Sequence, residues 1–146
     1  MPPYGKSMAI DYDRLNEILS SNARPSRSTP THDLAGVTIS AGGSQDIDKS
    51  DLDGYSALVV TVRATYDAAA TTGVRVRWLY SPDGTNYDTV EDAEAQGNYE
   101  DLSFAAGETR QRTAIVPIFA PYVKIQVVNL DTSAPVTVDA WTTLMR

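Results

Sequence analysis

Cysteine is absent from the 146 residues, and histidine occurs once, at position 32. Without thiols no disulfide framework, thiolate metal site or cysteine nucleophile can be built. A Ser/His/Asp set needs a histidine held by a rigid scaffold. His32 instead falls in a stretch rich in Ser, Thr, Pro and Arg, the composition of an extended linker, and reads as an exposed linker residue. Zinc is left with carboxylates alone. Positive charge is also scarce: 12 Lys and Arg against 19 Asp and Glu give a formal net charge of −7, the opposite of the surplus that neutralising phosphates requires. Direct nucleic-acid binding is not expected. No run approaches the ~20 apolar residues of a membrane span, and no apolar stretch of signal-peptide length follows Met1. The chain reads as a soluble product made in the cytoplasm, without a membrane partner.

What the chain has in quantity is period-two alternation. Leu58, Val60, Val62, Ala64 and Tyr66 share one face of a strand whose other face carries Val59, Thr61, Arg63 and Thr65. Val74, Val76, Trp78 and Tyr80 repeat the pattern after a small-residue turn, so these segments are expected to be two facing strands of a central hairpin. Val37 and Ile39 start an earlier strand. Val123, Ile125 and Val127 alternate with Lys124, Gln126 and Val128, and Val136, Val138 and Ala140 alternate with Thr137, Asp139 and Trp141. Further strands are expected over residues 102–106 and 110–119, with a brief one at Tyr87. Residues 46–54 read as an acidic connection, and residues 90–101, with five acids and no base, as an exposed loop. The total is about seven or eight strands at the spacing of an antiparallel sandwich or barrel. No crossover helix pattern separates them, which argues against a parallel α/β sheet.

Residues 1–33 differ from the rest. Residues 9–19 can form a short helix whose stripe is Leu15, Ile18 and Leu19. Such a helix falls below the ~12–15 residues at which isolated helices become marginal, so it must dock to persist. The expected organisation is an N-terminal arm over residues 1–33 and a β-sandwich over residues 34–146.

Of the 19 acidic residues, no spacing selects a pair suited to glycoside hydrolysis, and no enzymatic role is expected. Asp83, Asn86, Asp88, Glu91 and Asp92 are hard oxygen donors of the kind calcium takes. They are out of register with an EF-hand loop, and a Ser-Pro-Asp-Gly turn accounts for the first of them on backbone grounds. The turn reading comes first and no cofactor is assigned. Arg63, Arg75, Arg77 and Lys124 sit opposite apolar faces and are expected to line one outer basic face. Against the acidic stretch that follows Asp83, that face would let copies pair head to tail. Tyr87, Tyr99 and Trp141 are the candidates for an exposed aromatic platform that stacks on sugars.

The run Tyr-Val-Lys-Ile-Gln-Val-Val-Asn-Leu over residues 122–130, its Asp/Thr/Ser turn and the strand that ends at Trp141 resemble the closing hairpin of small β-sandwich structural proteins of tailed phages. Ser-Pro-Asp-Gly-Thr-Asn-Tyr-Asp over residues 81–88 is similar to the second hairpin of that group. The resemblance implies a jelly-roll-like or immunoglobulin-like sandwich used as a virion component, such as a capsid decoration protein or a head or tail accessory subunit. On that reading the chain is a non-enzymatic subunit of a virion, found as a homo-oligomer with a capsid or other lattice partner. Ile10, Leu15, Ile18 and Leu19 of the arm would bury apolar area on a neighbour. The alternative is a carbohydrate-binding or adhesin-like module, with glycan held near residues 83–92 and calcium as a candidate aid.

Overall fold

The computed structural model describes residues 27–146, together with Tyr12 and Asp13. Residues 27–146 form eight strands and one short helix: β1 Thr31–Ile39, β2 Ser44–Lys49, β3 Ala57–Tyr66, β4 Val74–Ser81, α1 Val90–Ala95, β5 Tyr99–Asp101, β6 Thr109–Pro117, β7 Tyr122–Asn129 and β8 Val136–Met145. The strands make two four-stranded sheets, ordered β1-β8-β3-β6 and β2-β7-β4-β5, with every pairing antiparallel. Written side by side, the two orders place each strand of one sheet against its chain neighbour in the other. Two interlocked Greek keys wound this way make an eight-stranded jelly roll, which decides between the two sandwich types that the sequence left open.

The alternation read in the sequence is what builds the core. Leu58, Val60, Val62 and Ala64 of β3 are fully buried, and Val74, Val76, Ile125, Val127, Val116 and Val138 join them in one cluster between the sheets. β-branched side chains suit a pleated, half-buried surface, and each one fully buried contributes about 1.5–3 kcal/mol.

The expected hairpins are corrected. β3 and β4 do face one another, but from opposite sheets: β3 pairs with β6 and β8, β4 with β5 and β7. The same holds for the closing pair, because β7 and β8 lie in different sheets. Inward-facing apolar residues demand an opposing apolar layer, and a jelly roll supplies it from the next strand in the chain. The first part of the acidic connection, through Lys49, is also a strand. β2 places only Ile47 in the core and owes its conformation to pairing with β7 from Ser44↔Val128 to Lys49↔Val123. Residues 90–101 are not a loop but α1 and β5. Thr89 caps α1 by accepting from the Asp92 N–H at 3.2 Å, and Ala93 is buried beneath it. Residues 102–106 and Tyr87 lie outside any strand.

The sandwich also begins before Leu34. Arg27 bridges Met145, Ser28 N–H donates to Leu144 O at 2.7 Å, and β1 starts at Thr31. Along β1 the register with β8 slips twice, between His32 and Leu34 and between Leu34 and Val37. Gly36, at φ 59°, supplies the left-handed residue inside the second slip. Such bulges twist an edge strand away from a flat template.

Candidate functional site

The four basic residues read as one face lie on two. Arg63 projects from the outer side of the β1-β8-β3-β6 sheet, and Arg75, Arg77 and Lys124 from the outer side of the other. The cause is the assignment of β3 and β4 to separate sheets: equal phase along the chain then means opposite sides of the molecule. Each cation is also engaged. Arg75 Nε and Nη2 donate to Asp101 at 2.7 and 3.0 Å, and Nη1 donates to Glu94 at 2.8 Å. Its guanidinium lies 4.1 Å from the Tyr99 ring centroid. Arg77, 9% exposed, donates to the second Glu94 oxygen at 3.0 Å and twice to Gln126 Oε1. Lys124 Nζ sits 4.3 Å from the Tyr87 ring. Part of the acidic stretch expected to oppose these residues on a partner therefore pairs with Arg75 and Arg77 inside the chain, because α1 holds Glu94 over β4 and β5 brings Asp101 beside it.

On the other sheet, Asp139 of β8 gathers three donors. Arg63 Nη2 reaches Oδ2 at 3.1 Å, while Gly36 N–H and His32 Nε2 reach Oδ1 at 3.0 and 3.1 Å. Burial works against the carboxylate, yet these hydrogen bonds hold its pKa below the usual range. His32, read as a linker residue, belongs to β1 and stacks on Trp141, with ring centroids 4.6 Å apart and planes 10° from parallel. Arg63 lies 5.1 Å from the same indole. Thus Tyr87, Tyr99 and Trp141, the three expected stacking residues, each already carry a cation or an imidazole against the ring. Among the described residues the most exposed aromatic is Phe119 (80%). It lines an open cleft of about 250 Å3 with residues 52–55, Ile118, Ala120 and Pro121.

Asp83 closes its own turn. Its carboxylate accepts from the N–H groups of Asn86 and Thr85 at 2.8 and 2.9 Å, from the Asn86 side chain, and from Ser81 Oγ at 3.1 Å. The Asn86 N–H first and the others after it hold the pKa far below the carboxylate range. Gly84, at φ 79°, is packed so that a Cβ would stand 3.0 Å from the Tyr122 ring. Among the described residues no group of three or more His, Cys, Asp or Glu is placed to hold a metal ion. Ile10, Leu15, Ile18 and Leu19 lie outside the described residues.

Two features escaped the sequence reading. The first is a polar knot after β7. Asp131, almost fully buried, accepts from the N–H groups of Thr71 and Thr72 on one oxygen and of Ser133 and Ala134 on the other, at 2.6–3.1 Å. The Thr71 N–H leads in holding its pKa far below the usual range. Asn129 Nδ2 donates to the carbonyls of Ile39, Ser40 and Ala134, and its Oδ1 accepts from Asp131 N–H at 3.0 Å. The acid residues here set a pH dependence. Asp83, Asp131 and Asp139 all have folded-state pKa values below their unfolded ones. Their contribution is therefore complete above the unfolded value near 3.9 and is lost as pH falls through the folded values. Urea midpoints are expected to be level between about pH 7 and 5 and to fall below about pH 4. Asp131→Asn should flatten that fall. A parent midpoint unchanged down to about pH 2 would contradict the assignment.

The second feature is an apolar groove of about 180 Å3 on the outer side of the β1-β8-β3-β6 sheet, lined by Arg27, Ser28, Pro30, Val59, Thr143 and Met145. Val59 pairs with Ile115 on one side and Thr143 on the other, so Ile115, 59% exposed, extends the groove toward the β6 edge. The signal lay in Val59 and Ile115, large apolar residues on strand faces that carry Thr, Arg and Gln apart from the end pair Ala57 and Pro117.

No family model matches the chain. A curated protein of Methanocaldococcus jannaschii, itself uncharacterised, is 37% identical over 73 residues, which is 50% of this chain and 59% of that protein. Among solved structures, the PBSX exported protein XepA superposes with a TM-score of 0.51 at 13% identity, over 81% of this chain and 37% of that one. The carbohydrate-binding module CBM36, solved with calcium and xylotriose, gives a TM-score of 0.48 at 12% identity, over 78% of this chain and 98% of that one. The likeness to XepA is one of fold alone. Among the described residues no helix is long and apolar enough to cross a membrane.

Proposed function

We propose that this chain is a non-enzymatic structural subunit of a virion or similar assembly, a capsid decoration or accessory protein that binds copies of itself and a lattice partner. The observation that carries the reading is the point where the arm leaves the sandwich. Arg27 is pinned to Met145 and Ser28 to Leu144 at the end of the central strand β8. The segment before Arg27 is therefore tethered at a fixed place beside an exposed apolar surface. A tethered segment on a rigid module gains avidity when many copies are arrayed. The eight-stranded jelly roll, a fold used by capsid domains among others, agrees with this by analogy of fold.

Light scattering over a concentration series, on the full chain and on a chain starting at Arg27, tests the proposal. The full chain is expected to form a defined oligomer or larger assembly and the shortened one a folded monomer. Equal masses at every concentration would overturn it. A glycan-binding module would then lead, on the strength of Phe119 standing open beside its cleft, and glycan screening of Phe119→Ala against the parent would follow.

A further inference from the structure

The groove lined by Pro30, Val59, Thr143 and Met145 has a volume of about 180 Å3. Small-molecule sites occupy roughly 300–1,000 Å3, so this one is small for a metabolite and suits aliphatic side chains of a docked segment. Its surroundings continue the apolar character through Ile115. Resting on the structural reading above, we propose that this groove receives the apolar stripe of the arm, Leu15, Ile18 and Leu19, from a second copy of the chain.

The argument for that occupant is one of length, direction and chemistry. Residues 1–26 precede the groove directly, because Arg27 is both its rim and the first residue bridged to β8. The bridge Arg27↔Met145 is antiparallel, so from Ser28 back to Arg27 the backbone heads toward the C-terminal end of β8, away from its own groove. Pro25 biases Arg24 toward an extended conformation and so disfavours an immediate turn back. Residues 20–26 can span about 23 Å and the whole arm about 90 Å when extended, ample reach for a neighbour of this size. The arm carries three apolar residues at the i, i+3, i+4 spacing of a helix stripe, and residues 9–19 need a surface to fold upon. Charge also agrees: Arg27 stands at the groove, while Asp11, Asp13 and Glu17 outnumber Arg14 beside the stripe in sequence.

The absence of cysteine makes the test clean. Two single-cysteine full-length chains, Leu15→Cys and Thr143→Cys, are mixed and oxidised, with Leu15→Cys plus Thr65→Cys as control, since Thr65 is on the same sheet face near the far end of β3. The first pair is expected to form the mixed covalent dimer at least tenfold faster than the control. In parallel, Val59→Arg in the full chain should raise the concentration at which oligomers appear at least tenfold, with near-ultraviolet circular dichroism verifying the fold. Equal cross-linking rates, or Val59→Arg assembling like the parent, would overturn the groove assignment while leaving an assembling chain a structural subunit. A full chain that is monomeric throughout would overturn both.

Discussion

Asn129→Ala is expected to lower the unfolding free energy by about 2–4 kcal/mol, with the urea m value unchanged. Asn129 is 2% exposed, and its amide satisfies the carbonyls of Ile39, Ser40 and Ala134 while its oxygen receives the Asp131 N–H. Alanine leaves those groups without partners in a place where water does not reach, and each orphaned group costs about 1–3 kcal/mol. Partial relaxation of residues 130–135 keeps the sum below the simple total. Asn129→Asp should be at least as damaging, because it sets a carboxylate against two or more carbonyl oxygens. A loss of less than about 1 kcal/mol would mean that the loops after β1 and β7 are held by backbone pairing alone.

The second large effect concerns where the sandwich begins. A chain starting at Leu34 is expected to unfold roughly 10 °C below one starting at Arg27, a difference of about 3–4 kcal/mol. The segment 27–33 supplies the Ser28 N–H bond to Leu144 O and the return bond from Leu144 N–H to Ser28 Oγ at 2.9 Å. It also supplies Asp33, whose carboxylate accepts from Lys49 Nζ at 2.8 Å and from the Thr142 hydroxyl. Burial disfavours the charged Asp33, but Lys49 and Thr142 more than compensate and keep its pKa below the ordinary value. Cutting there strands the half-buried Lys49 and the buried Thr142 and removes the His32 imidazole from Trp141. Melting curves of the two shortened chains within about 2 °C of each other would refute this.

The strands that alternate β-branched and polar residues were legible: β3, β4, β7 and β8 appear where Leu58, Val74, Val123 and Val136 begin their period-two runs. Which strand lies beside which was not, because periodicity reports a buried face and says nothing of the partner. That single gap explains the misplaced basic face, since Arg63 and Arg75 share a phase but not a sheet. β2 escaped notice because backbone pairing rather than side-chain burial makes it a strand, with Ile47 as its one buried apolar residue. α1 was hidden by its acids, which looked solvated but reach Arg75 and Arg77 through Glu94. The polar knot joins positions some sixty to ninety residues apart, a separation that no local pattern encodes.

β8 lies between β1 and β3, and β7 between β2 and β4. Both sheets therefore lack a middle strand until the ribosome has made the chain from Tyr122 onward. Before that point only the β3–β6 and β4–β5 pairings are available, and isolated two-stranded pieces are marginal in water. The nascent protein must stay open for most of its synthesis and close in a late step. β1 and β2 thus wait without their ladder partners, β8 and β7, until the last strands are made.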